Sequence, residues 1–81
     1  MQSIPNNTKV RFHREHLTPE EFGLSEQALA ELEDSVLSIE CMATATEEGD
    51  KDYEYYDLRT EAGKVLNYAI SGYHLTPLSE D

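Results

Sequence analysis

Four side chains have the chemistry to hold a metal ion or attack a substrate: His13, His16, His74 and Cys41. His13 and His16 stand three apart, while Cys41 and His74 are distant in sequence. Zinc sites draw paired ligands at short spacing from two places in a chain. One loose pair is too little, so no metal site is expected. His13 reads as a surface residue, His16 as a loop residue and His74 as a turn cap. Cys41 and His74 have the types of a nucleophile and its base. The pattern around Cys41, however, puts it on the apolar face of a strand, where a free cysteine is usually a small core residue. Gly23, Gly49, Gly63 and Gly72 are isolated from one another, so there is no glycine-rich phosphate loop. Carboxylates are abundant, yet none lies in an evidently apolar setting that would raise its pKa. The expectation is a protein that is not an enzyme and takes no cofactor.

The most distinctive stretch runs from Glu47 to Asp57. Six of its eleven residues are acidic and three are tyrosine. Strand alternation puts Tyr53, Tyr55, Asp57 and Arg59 on one side, and Glu54, Tyr56, Leu58 and Thr60 on the other. Tyr56 and Leu58 are the expected core members, so Tyr53 and Tyr55 stand outside beside the acidic loop. Tyrosine supplies contact area with little entropy loss and is enriched at binding surfaces. The candidate partner-binding set is therefore Glu47, Glu48, Asp50, Asp52, Tyr53, Glu54, Tyr55 and Asp57. A plainer reading competes with it: aromatics suit strands, and acids keep a small protein soluble. Glu20, Glu21, Glu26, Glu31, Glu33 and Asp34 form a second acidic patch, which reads most simply as a wet helix face.

These residues sit in a chain of 81 residues and 9.2 kDa with a formal net charge of −11. The charge is uneven. Residues 1–14 carry Lys9, Arg11 and Arg14 with no acid, a balance of +3. Residues 15–57 carry fourteen acids against Lys51, a balance of −13, and residues 58–81 balance at −1. So acidic a chain is repelled by phosphate, which argues against nucleic acid and an anionic membrane as direct ligands. No apolar run approaches the ~20 residues that span a bilayer. The first residues show no basic and apolar leader pattern, so a cytoplasmic setting is expected. With Cys41 as its single cysteine the chain has no internal disulfide, and a thin, unstapled core makes a homodimer or a complex plausible.

The elements follow from local patterns. Residues 1–8 read as a flexible arm. Lys9-Val10-Arg11-Phe12-His13 alternates at the strand period, with Val10 and Phe12 inward. Thr18-Pro19-Glu20-Glu21 is a helix start, with a capping threonine, proline at the first helical position and a glutamate to complete a capping box. Gly23 stops that turn. Ser25 starts a second helix, about Glu26 to Asp34, with Ala28, Leu29 and Leu32 as its apolar stripe. Val36 to Ala45 reads as a strand with Leu37, Ile39, Cys41 and Ala43 on one face. A polar loop over 47–52 joins it to a strand from Tyr53 to Thr60. Glu61 to Lys64 is a turn, Val65 to Ile70 a strand, Ser71 to His74 a tight helical turn, and Leu75 to Leu78 a last short strand. The expected fold class is mostly β with a helical insertion, α+β. It is a small five-stranded barrel over 9–78, closed or half-open, with the insertion at 18–34 between its first two strands and an acidic tail at 79–81.

The hairpin Tyr55-Tyr56-Asp57-Leu58-Arg59-Thr60-Glu61-Ala62-Gly63-Lys64-Val65-Leu66 resembles the final hairpin of small Src-homology-type, Tudor-like barrels. Ser71-Gly72-Tyr73-His74-Leu75-Thr76-Pro77-Leu78 resembles their one-turn helix and closing strand, and Lys9-Val10-Arg11-Phe12 their first strand. The resemblance covers about half the chain, and many small bacteriophage and bacterial proteins look similar. It implies a small five-stranded barrel fold. The loop that often lines the ligand groove in that family is here replaced by the helical segment, so no family site residue carries over.

Taken together, the expected function is a non-enzymatic acidic module that binds a basic protein partner. A sharper form is a bacteriophage-type inhibitor that mimics nucleic-acid charge and blocks a nucleic-acid-handling host protein. The alternatives are an oligomeric structural or assembly component, and a weak oligonucleotide binder using Lys9, Arg11, Arg14 and Arg59.

Overall fold

The computed structural model describes residues 3–47 and 49–78. Strand β1 (Lys9–Phe12) is followed by helices α1 (Pro19–Phe22) and α2 (Glu26–Asp34). Strands β2 (Val36–Thr44), β3 (Tyr55–Arg59), β4 (Val65–Ser71) and β5 (Leu75–Pro77) complete the chain, with one-turn 3-10 helices at Lys51–Tyr53 and Gly72–His74. Glu48, a candidate site residue, and the tail at 79–81 lie outside the described residues.

The helical insertion forms for the reasons its sequence suggests. The Thr18 N–H donates to the Glu21 carboxylate at 2.7 Å, and Gly23 leaves α1 at φ 72°, where a glycine has no steric cost. The Ala28 N–H donates to the Ser25 hydroxyl at 3.1 Å and opens α2. A nine-residue helix does not persist alone in water. It is held here by burying Leu29 and Leu32 and by Arg14, whose guanidinium donates to Glu26 and Glu33 at 2.6–3.1 Å.

All strand pairs are antiparallel, in the order β4-β3-β2-β1-β5. The architecture is thus a small α+β protein, mostly β. Of the closed or half-open barrel expected, closure is corrected: β4 and β5 end the sheet without pairing to each other, and residues of α1 and α2 face β4 across two clefts. Val10, Phe12, Leu37, Ile39, Tyr56, Leu58, Ile70 and Leu75 line the core face and meet Leu29 and Leu32 of α2.

Three local expectations are also corrected. Cys41 does not continue the core face of β2. The pairing with β3 slips between Ile39 and Cys41 and again between Met42 and Thr44. Each slip inserts a residue and inverts the alternation, so Met42 packs on the core and Cys41 does not. Tyr53 does not begin β3, because the Asp50 carboxylate accepts the Asp52 N–H at 3.0 Å and folds 51–53 into a helical turn. The described part of the N-terminal arm is fastened to the sheet. Ile4 is buried in the core, the Asn7 N–H donates to the Ile39 carbonyl at 2.7 Å, and the Ile39 N–H donates to the Thr8 carbonyl at 2.9 Å.

The two 3-10 turns pack directly on each other through Gly72. A Cβ there would sit 2.1 Å from the Lys51 carbonyl oxygen, far inside contact distance, and the obstacle is backbone. Gly72→Ala is therefore expected to lower the unfolding free energy by about 1–3 kcal/mol, the usual cost of overpacking, read as a reduced urea midpoint at unchanged slope.

Candidate functional site

The eight candidate residues do not form one even surface. Glu47 is exposed. Asp50 and Asp52 are half-buried and locally engaged: Asp50 caps the 51–53 turn, and Asp52 accepts from the Lys51 ammonium at 3.1 Å. Lys51 also donates to the Gly72 carbonyl at 3.3 Å, so this cation ties the two turns together. Asp57 is half-buried on the outer sheet face, where the Cys41 thiol donates to it at 3.5 Å. Burial first, then Asp57, pushes the Cys41 thiol up from its ordinary pKa. A thiol kept protonated in this way is a poor nucleophile. His74 packs with Phe12, Phe22, His13 and Tyr73 at the other end of the sheet, so the structure does not make Cys41 and His74 a dyad. Among the described residues no group of three or more His, Cys, Asp or Glu is arranged to hold a metal ion.

Glu54 leaves the outward set. It is only 1% exposed, as strand alternation beside Tyr56 demands. Its carboxylate accepts from the Tyr56 hydroxyl at 2.8 Å. That hydroxyl in turn accepts from the Ile4 N–H at 3.0 Å. The Ser3 hydroxyl, the Tyr56 hydroxyl and the Thr46 backbone hold the Glu54 carboxyl below the usual carboxylate range, against the opposing effect of burial. Glu54 is thus a structural anion that fastens the N-terminal segment.

Tyr53 and Tyr55 do stand outside, at 65% and 47% exposure. The fold adds Tyr73, 50% exposed. The Ser71 hydroxyl accepts the Tyr73 N–H at 3.2 Å and donates to the Asp52 carbonyl at 3.1 Å. With Gly72 against Lys51, these bonds pack the turn that carries Tyr73 onto the turn that carries Tyr53, and Tyr55 pairs directly with Ser71 across β3 and β4.

Beside this corner lies a cleft of about 230 Å³ between β4 and α1. Its walls include Leu17, Phe22, Tyr55, Tyr68, Ile70 and His74. Phe22 stacks edge-on against His74, with ring centroids 4.9 Å apart. Nδ1 of His74 lies 3.1 Å from the His13 carbonyl. A carbonyl only accepts, so Nδ1 carries the proton and the neutral ring leaves Nε2 as an acceptor. Burial pushes the His74 pKa down. Sequence reasoning did not reach Leu17, Phe22, Tyr73 and His74 as a site, because they come from separate short segments: the loop before α1, α1 itself and the 72–74 turn. The available signal was the Ser71-Gly72 turn beside an aromatic, which forces the next side chain outward.

Fold and site define a small α+β protein with an open five-stranded sheet, a tyrosine-rich corner and an adjoining apolar cleft. No family model, curated protein or solved structure matches this chain. Among the described residues no helix is long and apolar enough to cross a membrane.

Acid should destabilise this protein in two stages. Burial lowers the folded pKa of His74, whereas the unfolded chain takes up a proton below about pH 6.5. Stability therefore starts to fall as pH drops through that value. Glu54 has a depressed folded pKa. Its contribution is complete above the ordinary carboxyl value of about 4.3 and is lost as pH falls through the folded value. Glu26, held down by its bonds to Arg14, adds to the second stage. Urea midpoints measured across pH are expected to show His74→Phe flattening the upper stage and Glu54→Gln reducing the lower one.

Proposed function

We propose that this chain is a non-enzymatic protein-binding module that engages a basic protein partner through its tyrosine corner. The observation that carries the reading is the exposure of Tyr53, Tyr55 and Tyr73 together, beside a cleft that no Lys or Arg lines. Large aromatics left in water on a small protein are a cost unless something covers them. Clustered tyrosine is the composition of binding surfaces. The charge supplies the partner's sign. With a net charge of −11, concentrated at −13 over 15–57, long-range attraction favours a basic surface and speeds encounter.

A nucleic-acid-handling protein, whose own site is built to attract phosphate, is the partner class this charge suits. An inhibitor of bacteriophage type belongs to the same proposal. So does the likeness to small Src-homology-type barrels, here a barrel left open between β4 and β5. The engagement of Asp50, Asp52 and Glu54 within the fold narrows the idea of a phosphate-like array. Among the described residues it leaves Glu15, Glu47, Glu61 and the acids of α1 and α2 as wet negative groups, with Glu26 and Glu33 already paired to Arg14.

The test is affinity capture of a partner followed by quantitative binding with purified components. Tyr53→Ala, Tyr55→Ala and Tyr73→Ala are each exposed changes, and at least one is expected to weaken the complex about tenfold or more, as anchor residues do. Glu47→Gln and Glu20→Gln are expected to slow association and flatten its salt dependence without changing the dissociation rate. Three tyrosine variants that all bind like the parent chain would overturn the reading.

A further inference from the structure

The two edges of the sheet are treated differently. β5 is three residues long and ends in Pro77. That is the usual protection of an edge against stray pairing. β4 is seven residues long, and Val65–Ser71 contains neither a charge nor a proline, in a chain that is 28% charged. No described strand pairs with its far side. Its first half is bent, because the register with β3 shifts between Asp57 and Arg59. Its second half, from Tyr68 to Ser71, is regular.

The direction of the backbone groups there can be worked out. The Gly72 N–H donates to the Glu54 carbonyl at 2.9 Å, so Gly72 points its backbone toward β3. Residues two apart share that direction, and the residues between them point the other way. Ile70 therefore bonds inward, and the N–H and C=O of Ala69 and the N–H of Ser71 point off the sheet, the Ser71 C=O opening the 72–74 turn. Ala69 and Ser71 both line the cleft between β4 and α1. An added strand would place alternate side chains on the two faces of the sheet. Those on the inner face enter the cleft, against Phe22, Tyr68 and Ile70. Those on the outer face lie alongside Tyr55 and Asp57, which pair with Ser71 and Ala69. Glu21 lines the cleft and no Lys or Arg does, while the ring of Tyr55 offers a face to a cation.

We infer that the Ala69–Ser71 edge of β4 takes an extended segment of a basic partner as a sixth strand, with one apolar side chain in the cleft and Lys or Arg on both sides of it over Tyr55 and Asp57. Main-chain bonds then supply affinity, and the cleft and the acidic face supply selectivity. This rests on the basic-partner reading above. A second copy of the chain is the poorer occupant, because it brings a further −11 to the same place.

The experiment uses the full chain and a short fluorescent peptide alternating Lys and Leu. A second peptide of identical sequence is N-methylated on the alternate amides that would face β4. The unmodified peptide is expected to bind and to slow hydrogen exchange at the Ala69 and Ser71 amides. N-methylation is expected to weaken it about tenfold or more, the effect of losing one or two interstrand bonds. Ala69→Pro, which removes one outward N–H, should weaken binding to a similar degree. Should that variant fail to fold by circular dichroism, the N-methylated peptide decides alone. Equal binding by the two peptides overturns strand addition and leaves the basic-partner reading standing. Failure of the basic peptides to bind overturns both. Protection of Ala69 and Ser71 that rises with protein concentration in the absence of peptide overturns the inference in favour of a second copy.

Discussion

Tyr56 ties the N-terminal segment, the loop before β3 and the sheet core together. Its ring is fully buried in the sheet core, and its hydroxyl reaches past the core to the N-terminal segment. There it accepts from the Ile4 N–H and donates to the Glu54 carboxylate. A buried carboxylate is expensive unless its lone pairs are met, and Glu54 is met by hydroxyl and backbone groups of the described residues. The N-terminal segment, the loop before β3 and β3 itself therefore come to one point. The corner that carries Tyr53 and Tyr55 is stiff because the residue between them, Glu54, is locked inside. Exposed aromatic side chains on a stiff frame lose little entropy on binding, the condition under which they act as anchors.

A second constraint is the space between the two 3-10 turns. Gly72 lets the backbone of one turn lie against that of the other. Lys51 and Ser71 close the joint with bonds to Gly72 and Asp52. This joint sets where β4 ends and where Tyr73 and His74 begin. It also positions the cleft, because His74 forms its floor beside Phe22 while Ala69 and Ser71 form its rim. The open side of the sheet and the aromatic corner are therefore consequences of one packing arrangement.

Much of the fold was legible in local patterns. The capping residues Thr18 and Ser25, the stop at Gly23 and the alternation of Val10 and Phe12 all act within a few residues, and α1, α2 and β1 stand where those signals put them. Tyr56 and Leu58 inward, with Tyr55 outward, follows from period two, whereas Tyr53 is exposed on the preceding helical turn. The phase of β2 was not legible past Ile39. A bulge is set by the register with the partner strand, and Cys41 and Met42 exchange places because of it. Closure was not legible either, because it depends on whether the ends of a sheet meet across the core. Here α1 and α2 occupy that side.

The sequence by itself determined the signs and the periods: an acidic middle, a basic start, the helical insertion and the outward Tyr55 of β3. These are properties of neighbours along the chain, where hydrogen bonding and side-chain alternation act over one turn or two residues. Only the tertiary structure decided which carboxylates face water. Asp50, Asp52 and Glu54 look like Glu47 in sequence, yet they cap a turn, pair with Lys51 and fasten the N-terminal segment. Only the tertiary structure joined Tyr73 to Tyr53 and Tyr55 and left the edge of β4 open. The reason is physical: burial and edge exposure are set by contacts between residues far apart in the chain, which no local pattern encodes.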